Sequence, residues 1–98
     1  MKVKVYITNR SVFLDPLVIA LVEVAAPPRV GEYMYLSNET RNYLEQCAIR
    51  RPGWKSAYAD FVNPREPERV NLSKAIRVAA IAYREGDPYV SVELFFEN

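Results

Sequence analysis

Between Cys47 and Asn71 the chain reads CAIRRPGWKSAYADFVNPREPERVN. Arg50, Arg51, Lys55, Arg65 and Arg69 are basic, and Trp54, Tyr58 and Phe61 are aromatic. Guanidinium and ammonium groups neutralise phosphates, and aromatic rings stack on unpaired bases, so this mixture suits a nucleic-acid surface. Arg50, Arg51, Trp54, Lys55 and Tyr58 bring both kinds of group within nine residues. The same residue types concentrate binding energy at the centres of protein interfaces. A third reading is structural. In helical spacing Trp54, Tyr58 and Phe61 share one stripe, which is how core residues are arranged. The sequence leaves Trp54 and Tyr58 open between core and surface.

Catalysis finds little support. The chain has no histidine, so neither a Ser-His nor a Cys-His nucleophile pair can form. Cys47 is the single cysteine. Alone it makes no internal disulfide, and without histidine or further thiols it makes no zinc site of the usual kind. It falls on an apolar helical stripe, where a cysteine behaves as a small hydrophobe. Asp60, Glu66 and Glu68 are carboxylates, but Arg65 and Arg69 stand close in sequence and surface charge pairing accounts for them. Three scattered glycines build no phosphate-cradling loop. The expectation is a protein that is not an enzyme and has no metal, cofactor or small-molecule ligand.

The charge is unevenly spread. The net value is +1, yet residues 41–84 hold nine basic and four acidic groups, and residues 85–98 hold four acidic and no basic ones. Local clustering governs encounter with an anionic partner more than net charge does. A length of 98 residues with half the residues hydrophobic is expected to form one domain over 1–98 with a real core. The opening MKVKVYITNRS lacks the apolar stretch of a signal peptide, and the apolar heart of PLVIALVEV is too short to cross a bilayer. Cytoplasmic location without a membrane partner is the expectation.

The elements that must position these residues can be read in order. KVKVYIT alternates as a half-buried strand, with Val3, Val5 and Ile7 on one face. Asn9-Arg10-Ser11 reads as a turn and Leu14-Asp15-Pro16 as a break. LVIALVEVAA is a long apolar run and predicts a strand covered on both faces, or the packed side of a small barrel. RVGEYMYLS predicts further extended chain. Gly31 marks a bulge or turn there, Tyr33 and Tyr35 share one face, and Met34 and Leu36 share the other.

The period then changes. Leu36, Tyr43, Leu44, Cys47 and Ala48 lie on a helical stripe, with Ser37 or Asn38 as the cap and Pro52-Gly53 as the stop. WKSAYADFV predicts one or two further helical turns, and NPREPERVN a surface loop. The stretch 74–85 is ambiguous. Its four alanines favour a helix. The short Gly-Asp-Pro turn into the alternating YVSVELFF favours an antiparallel hairpin, roughly 75–84 with 89–96, and the hairpin is taken.

Together these predict an α+β fold: a small curled antiparallel sheet or partly open β-barrel of four or five strands. A helical insertion lies at about 37–62 within an excursion to 72. Phe95 and Phe96 are consecutive on a strand and point to opposite faces, so Phe96 is a candidate contact beside an edge. The expected function is a non-catalytic binding or assembly module acting through protein contacts, self-association included. Binding of nucleic acid through Arg50, Arg51, Trp54, Lys55, Tyr58, Arg65 and Arg69 is the alternative.

Overall fold

The computed structural model describes residues 1–7 and 18–96; of Val18, Ala57, Asp60 and Phe96 it describes only the backbone. The turn expected at Asn9–Ser11 and the break at Pro16 lie outside the described residues, as does the Phe96 side chain. Strands β1 (Lys2–Ile7) and β2 (Val18–Glu23) come first, followed by helix α1 (Asn38–Ile49) and a single turn, α2 (Trp54–Ala57). A 3-10 turn (Ala59–Phe61), β3 (Val62–Asn63) and β4 (Glu66–Val70) follow, and β5 (Ala75–Ala82) and β6 (Val90–Phe96) close the chain.

The fold is α+β, and its main sheet is not closed into a barrel. The strand order is β2-β1-β6-β5. Each hairpin is antiparallel, but β1 and β6 meet in parallel, with Val3 opposite Val90, Val5 opposite Val92 and Ile7 opposite Leu94. The sheet is therefore mixed, where an antiparallel one was expected. The physical reason is burial. Val3, Val5, Ile7, Val92 and Leu94 are all fully buried, so β1 and β6 gain most from the centre. The long excursion between the hairpins supplies the crossover that a parallel pair needs.

β6 is thus an interior strand, and the expectation that it forms an edge is overturned. The edges are β2 and β5. The expectation that β2 is covered on both faces also fails. Ala20 and Val22 turn to the core, while Ile19 and Leu21 are 47% and 51% exposed on the opposite face. An edge strand beside a one-sided helical layer has only one face to bury.

β5 bends through two register shifts, between Ala75 and Arg77 and between Val78 and Ala80. Each adds a residue and curls the strand. The segment 31–34 runs along the outer edge of β5. Gly31 N donates to the Val78 carbonyl at 2.8 Å, Val78 N to the Glu32 carbonyl at 2.9 Å and Met34 N to the Ile76 carbonyl at 2.7 Å. Gly31 has φ +92°, a turn conformation that suits a residue without Cβ. The expected facing holds: Tyr33 and Tyr35 are exposed and stacked 6.1 Å apart, and Met34 and Leu36 pack toward the core. Arg77 secures this strap. It donates to the Gly31 carbonyl (2.8 Å) and the Tyr33 hydroxyl (2.6 Å).

α1 begins where expected. The Ser37 hydroxyl accepts a bond from Thr40 N at 3.1 Å and so satisfies one of the free donors of the first turn. Leu44 and Ala48 are buried against the sheet and β4, with Cys47 half-buried beside them. Tyr43 leaves the predicted stripe and is 58% exposed. The predicted loop at 63–71 is instead the hairpin β3–β4, pairing Val62 with Val70 and Asn63 with Glu66. Its prolines are compatible with that, since Pro64 sits in the turn and Pro67 on a strand of a two-stranded sheet, where no second neighbour needs its missing N–H. At the far end of the sheet, Lys4 Nζ meets Asp87 Oδ2 at 2.6 Å and ties the β5–β6 turn to β1. This bond holds the Asp87 carboxyl below its ordinary range.

Candidate functional site

The basic–aromatic stretch is built from the end of α1 onward. Arg50 is the C-cap residue, and Arg51 N donates back to the Ala48 carbonyl at 3.1 Å. Gly53 takes φ +73°, which lets the chain reverse into α2. Arg50, Arg51 and Lys55 are exposed, and Trp54 is half-buried against the margin of the core. Lys55 lies 5.6 Å from the centre of the Trp54 ring and also pairs with Glu68 at 2.6 Å. Arg69 pairs with Glu66 at 3.1 Å. Arg65 is exposed in the β3–β4 turn, where its backbone N–H bonds Asn63 Oδ1 at 3.0 Å. Two of the five cations are therefore matched by carboxylates of β4. Such exposed pairs add little stability, but they reduce the local positive field.

Tyr58 is core. Its exposure is 0%, and its ring lies tilted against Phe61 with centroids 6.3 Å apart. No base can stack on it. Among the described residues its hydroxyl has no hydrogen-bond partner. Burial pushes this phenol up to about 12, while the neighbouring Arg51 guanidinium acts in the opposite sense.

The sign of the resulting pH dependence follows. An unfolded tyrosine ionises at about 10, so the unfolded chain loses this proton first. Stability from Tyr58 is complete below about pH 10 and declines as pH rises toward about 12, by no more than roughly 2 kcal/mol. Tyr58→Phe is expected to remove that portion of the alkaline loss and to leave neutral-pH stability unchanged or slightly higher, since the lost hydroxyl was unpaired. Thermal unfolding of both proteins across this range measures the difference.

The sequence reading missed the edge of β2. Val18–Val22 carries no charge, no proline and no bulge, and among the described residues no strand pairs with its outer side. A groove of about 390 Å³ lies beside its lower half. Leu21, Val22, Glu23 and Val24 form one wall and Met34, Tyr35 and Leu36 the other. Consecutive β2 residues point to alternating faces, so a groove lined by all of them follows the backbone edge rather than either face. The signal was available: in VIALVE, Ile19 and Leu21 alternate with Ala20 and Val22. A uniformly apolar run hid the alternation.

The Tyr43 hydroxyl lies against the Cys47 sulfur, and this contact raises its pKa. Among the described residues no group of three or more Cys, Asp or Glu side chains could hold a metal ion, and no helix is long and apolar enough to cross a membrane. No family model, no curated protein and no solved structure matches the chain.

Proposed function

We propose that this chain is a non-catalytic, cytoplasmic binding or assembly module that works through protein–protein contacts, with the outer edge of β2 as its contacting element. The observation that carries this reading is the contrast between the two edges. Unpaired strand edges are templates for further strands, and folded proteins usually guard them with charges, prolines, bulges or covering chain. The edge of β5 has the strap 31–34 and two bulges. Among the described residues the edge of β2 carries no charge, proline or bulge over Val18–Val22, and it sets Ile19 and Leu21 beside it. Strand addition at such an edge joins two chains by main-chain hydrogen bonds, with side chains giving selectivity.

Nucleic-acid binding through the segment 50–69 has less support. Tyr58 is withdrawn into the core, and Lys55 and Arg69 are paired. Arg50, Arg51 and Arg65 remain exposed, but Trp54 beside them is half-buried against the core and offers only part of its ring for stacking.

Photo-reactive residues placed at Leu21 and, separately, at Arg51 in living cells separate the readings. Protein cross-links from position 21, with no nucleic acid captured from position 51, are expected. Nucleic acid captured at 51, with nothing at 21, would contradict the proposal.

A further inference from the structure

We infer that the cavity between β3 and the β4–β5 link binds a carboxylate group carried on a short apolar stem. The cavity measures about 260 Å³. That is below the roughly 300–1,000 Å³ of sites for drug-sized molecules, so it suits a small acid or the end of a chain. No described residue of β2 lines it, so its test stands apart from the reading of that edge.

The lining has two chemistries. Phe61, Val62 and Pro64 supply apolar surface. Asn63, Asn71, Ser73 and Lys74 supply polar groups. Local bonds orient both asparagines. Asn63 Oδ1 accepts from Arg65 N at 3.0 Å, and Asn71 Oδ1 accepts from Ser73 N at 2.9 Å. A backbone N–H bonds only to the oxygen of a side-chain amide, so these contacts fix which atom is nitrogen. In each residue the acceptor is engaged, and the Nδ2 donors have no partner among the described residues. Lys74 makes no ion pair among them either.

No carboxylate is among the described lining residues, and those of β4, Glu66 and Glu68, are held by Arg69 and Lys55. The polar lining is therefore rich in donors, carries one positive charge and brings no competing anion. A carboxylate has one negative charge and about four sites that accept hydrogen bonds, so it matches this set. A phosphate monoester, at about −1.5 to −2, would leave charge unmatched.

The site is built before a ligand arrives. Asn71 N donates to the Phe61 carbonyl at 2.8 Å, which joins the two segments that line the cavity. Phe61 and Leu72 are buried and anchor those segments to the core. Donors held in place beforehand cost less order on binding.

Sodium butyrate, titrated at constant ionic strength into isotope-labelled protein, tests the assignment by two-dimensional NMR. Butyramide is the uncharged control. The side-chain NH2 signals of Asn63 and Asn71 read the site directly. They are expected to shift and saturate in the millimolar range with butyrate, and to stay in place with butyramide. N-acetylvaline copies a chain end and separates the two sources. Tighter binding than butyrate marks a C-terminus, and equal binding marks a free acid.

Asn63→Asp and Asn71→Asp keep the oxygen that bonds the backbone but turn the donor group into an anion. Each is expected to weaken butyrate binding roughly tenfold or more, with an unchanged circular dichroism spectrum. Lys74→Met is expected to weaken it several-fold. Shifts that rise without saturating, equal shifts with butyramide, or shifts spread alike over other exposed lysines and arginines would overturn the inference. Those outcomes are read on the wild-type chain, so they hold whether or not a variant folds.

Discussion

Leu21→Lys is expected to weaken the proposed association through β2 while the fold survives. Leu21 is 51% exposed, so association can still cover about half of its side chain. Losing that burial removes about 1 kcal/mol per copy on the usual apolar area scale. In a symmetric contact the loss occurs twice, and about 2 kcal/mol corresponds to roughly a thirtyfold weaker dissociation constant. The new ammonium adds to this, since an edge lysine is the device by which many sheets avoid partners. The isolated domain tolerates the change because the lysine stem lies along the open face and its charge stays in water. Sedimentation velocity of both proteins over a concentration series reads the effect. A variant that associates like wild type would remove Leu21 from the contact.

Leu44→Ala carries the largest expected cost to the fold. Leu44 is fully buried in α1, between the sheet and β4. It is the largest fully buried side chain of that helix, so it does most to hold the helical layer down. Truncating a leucine in such a site costs about 2–5 kcal/mol, from lost apolar burial and the cavity left behind. Small domains are stable by only about 5–15 kcal/mol, so the variant is expected to unfold at a much lower urea concentration with an unchanged slope. Tyr43→Ala is the control one residue earlier on the same helix. Tyr43 is 58% exposed, and the change is expected to stay within about 0.5 kcal/mol. Equal losses in the two variants would contradict the facing assigned to α1.

That pair of residues also marks how far the sequence could be read. Helical spacing placed Tyr43 and Leu44 on one stripe, because adjacent positions differ by only part of a turn. Which of them the core accepts depends on where β4 and the sheet lie, and that is tertiary information. The strand β1 was fully legible, since Val3, Val5 and Ile7 alternate cleanly with polar neighbours and all three are buried. The cap at Ser37 was legible because capping is local chemistry.

Pairing partners were less so. Nothing near Lys2–Ile7 in sequence announces that its second neighbour is β6, more than eighty residues away. The bulges of β5 explain why 74–85 resembled a helix. They place the inward residues Ala75, Val78 and Ile81 three apart, a spacing close to the helical period and foreign to a regular strand. The hairpin β3–β4 was hidden by its two prolines, which a two-stranded sheet tolerates. Of the candidate contacts, Arg50, Arg51, Arg65 and Arg69 lie on the surface. The edge of β2 was not seen, because a strand's neighbours, rather than its composition, decide whether it is an edge.

Backbone amide hydrogen exchange, resolved by residue and measured at low and near-millimolar protein concentration, tests the role of β2 most directly. Strand addition engages main-chain N–H groups, so the result should appear on the backbone itself. Outward-facing amides within Val18–Glu23 are expected to exchange more slowly at high concentration. Those of Arg50–Lys55 and of the strapped edge of β5 are expected to keep the same rate. Slowing confined to Arg50–Arg69, or equal rates throughout β2 while the protein associates, would contradict the assignment of β2 as the contacting element.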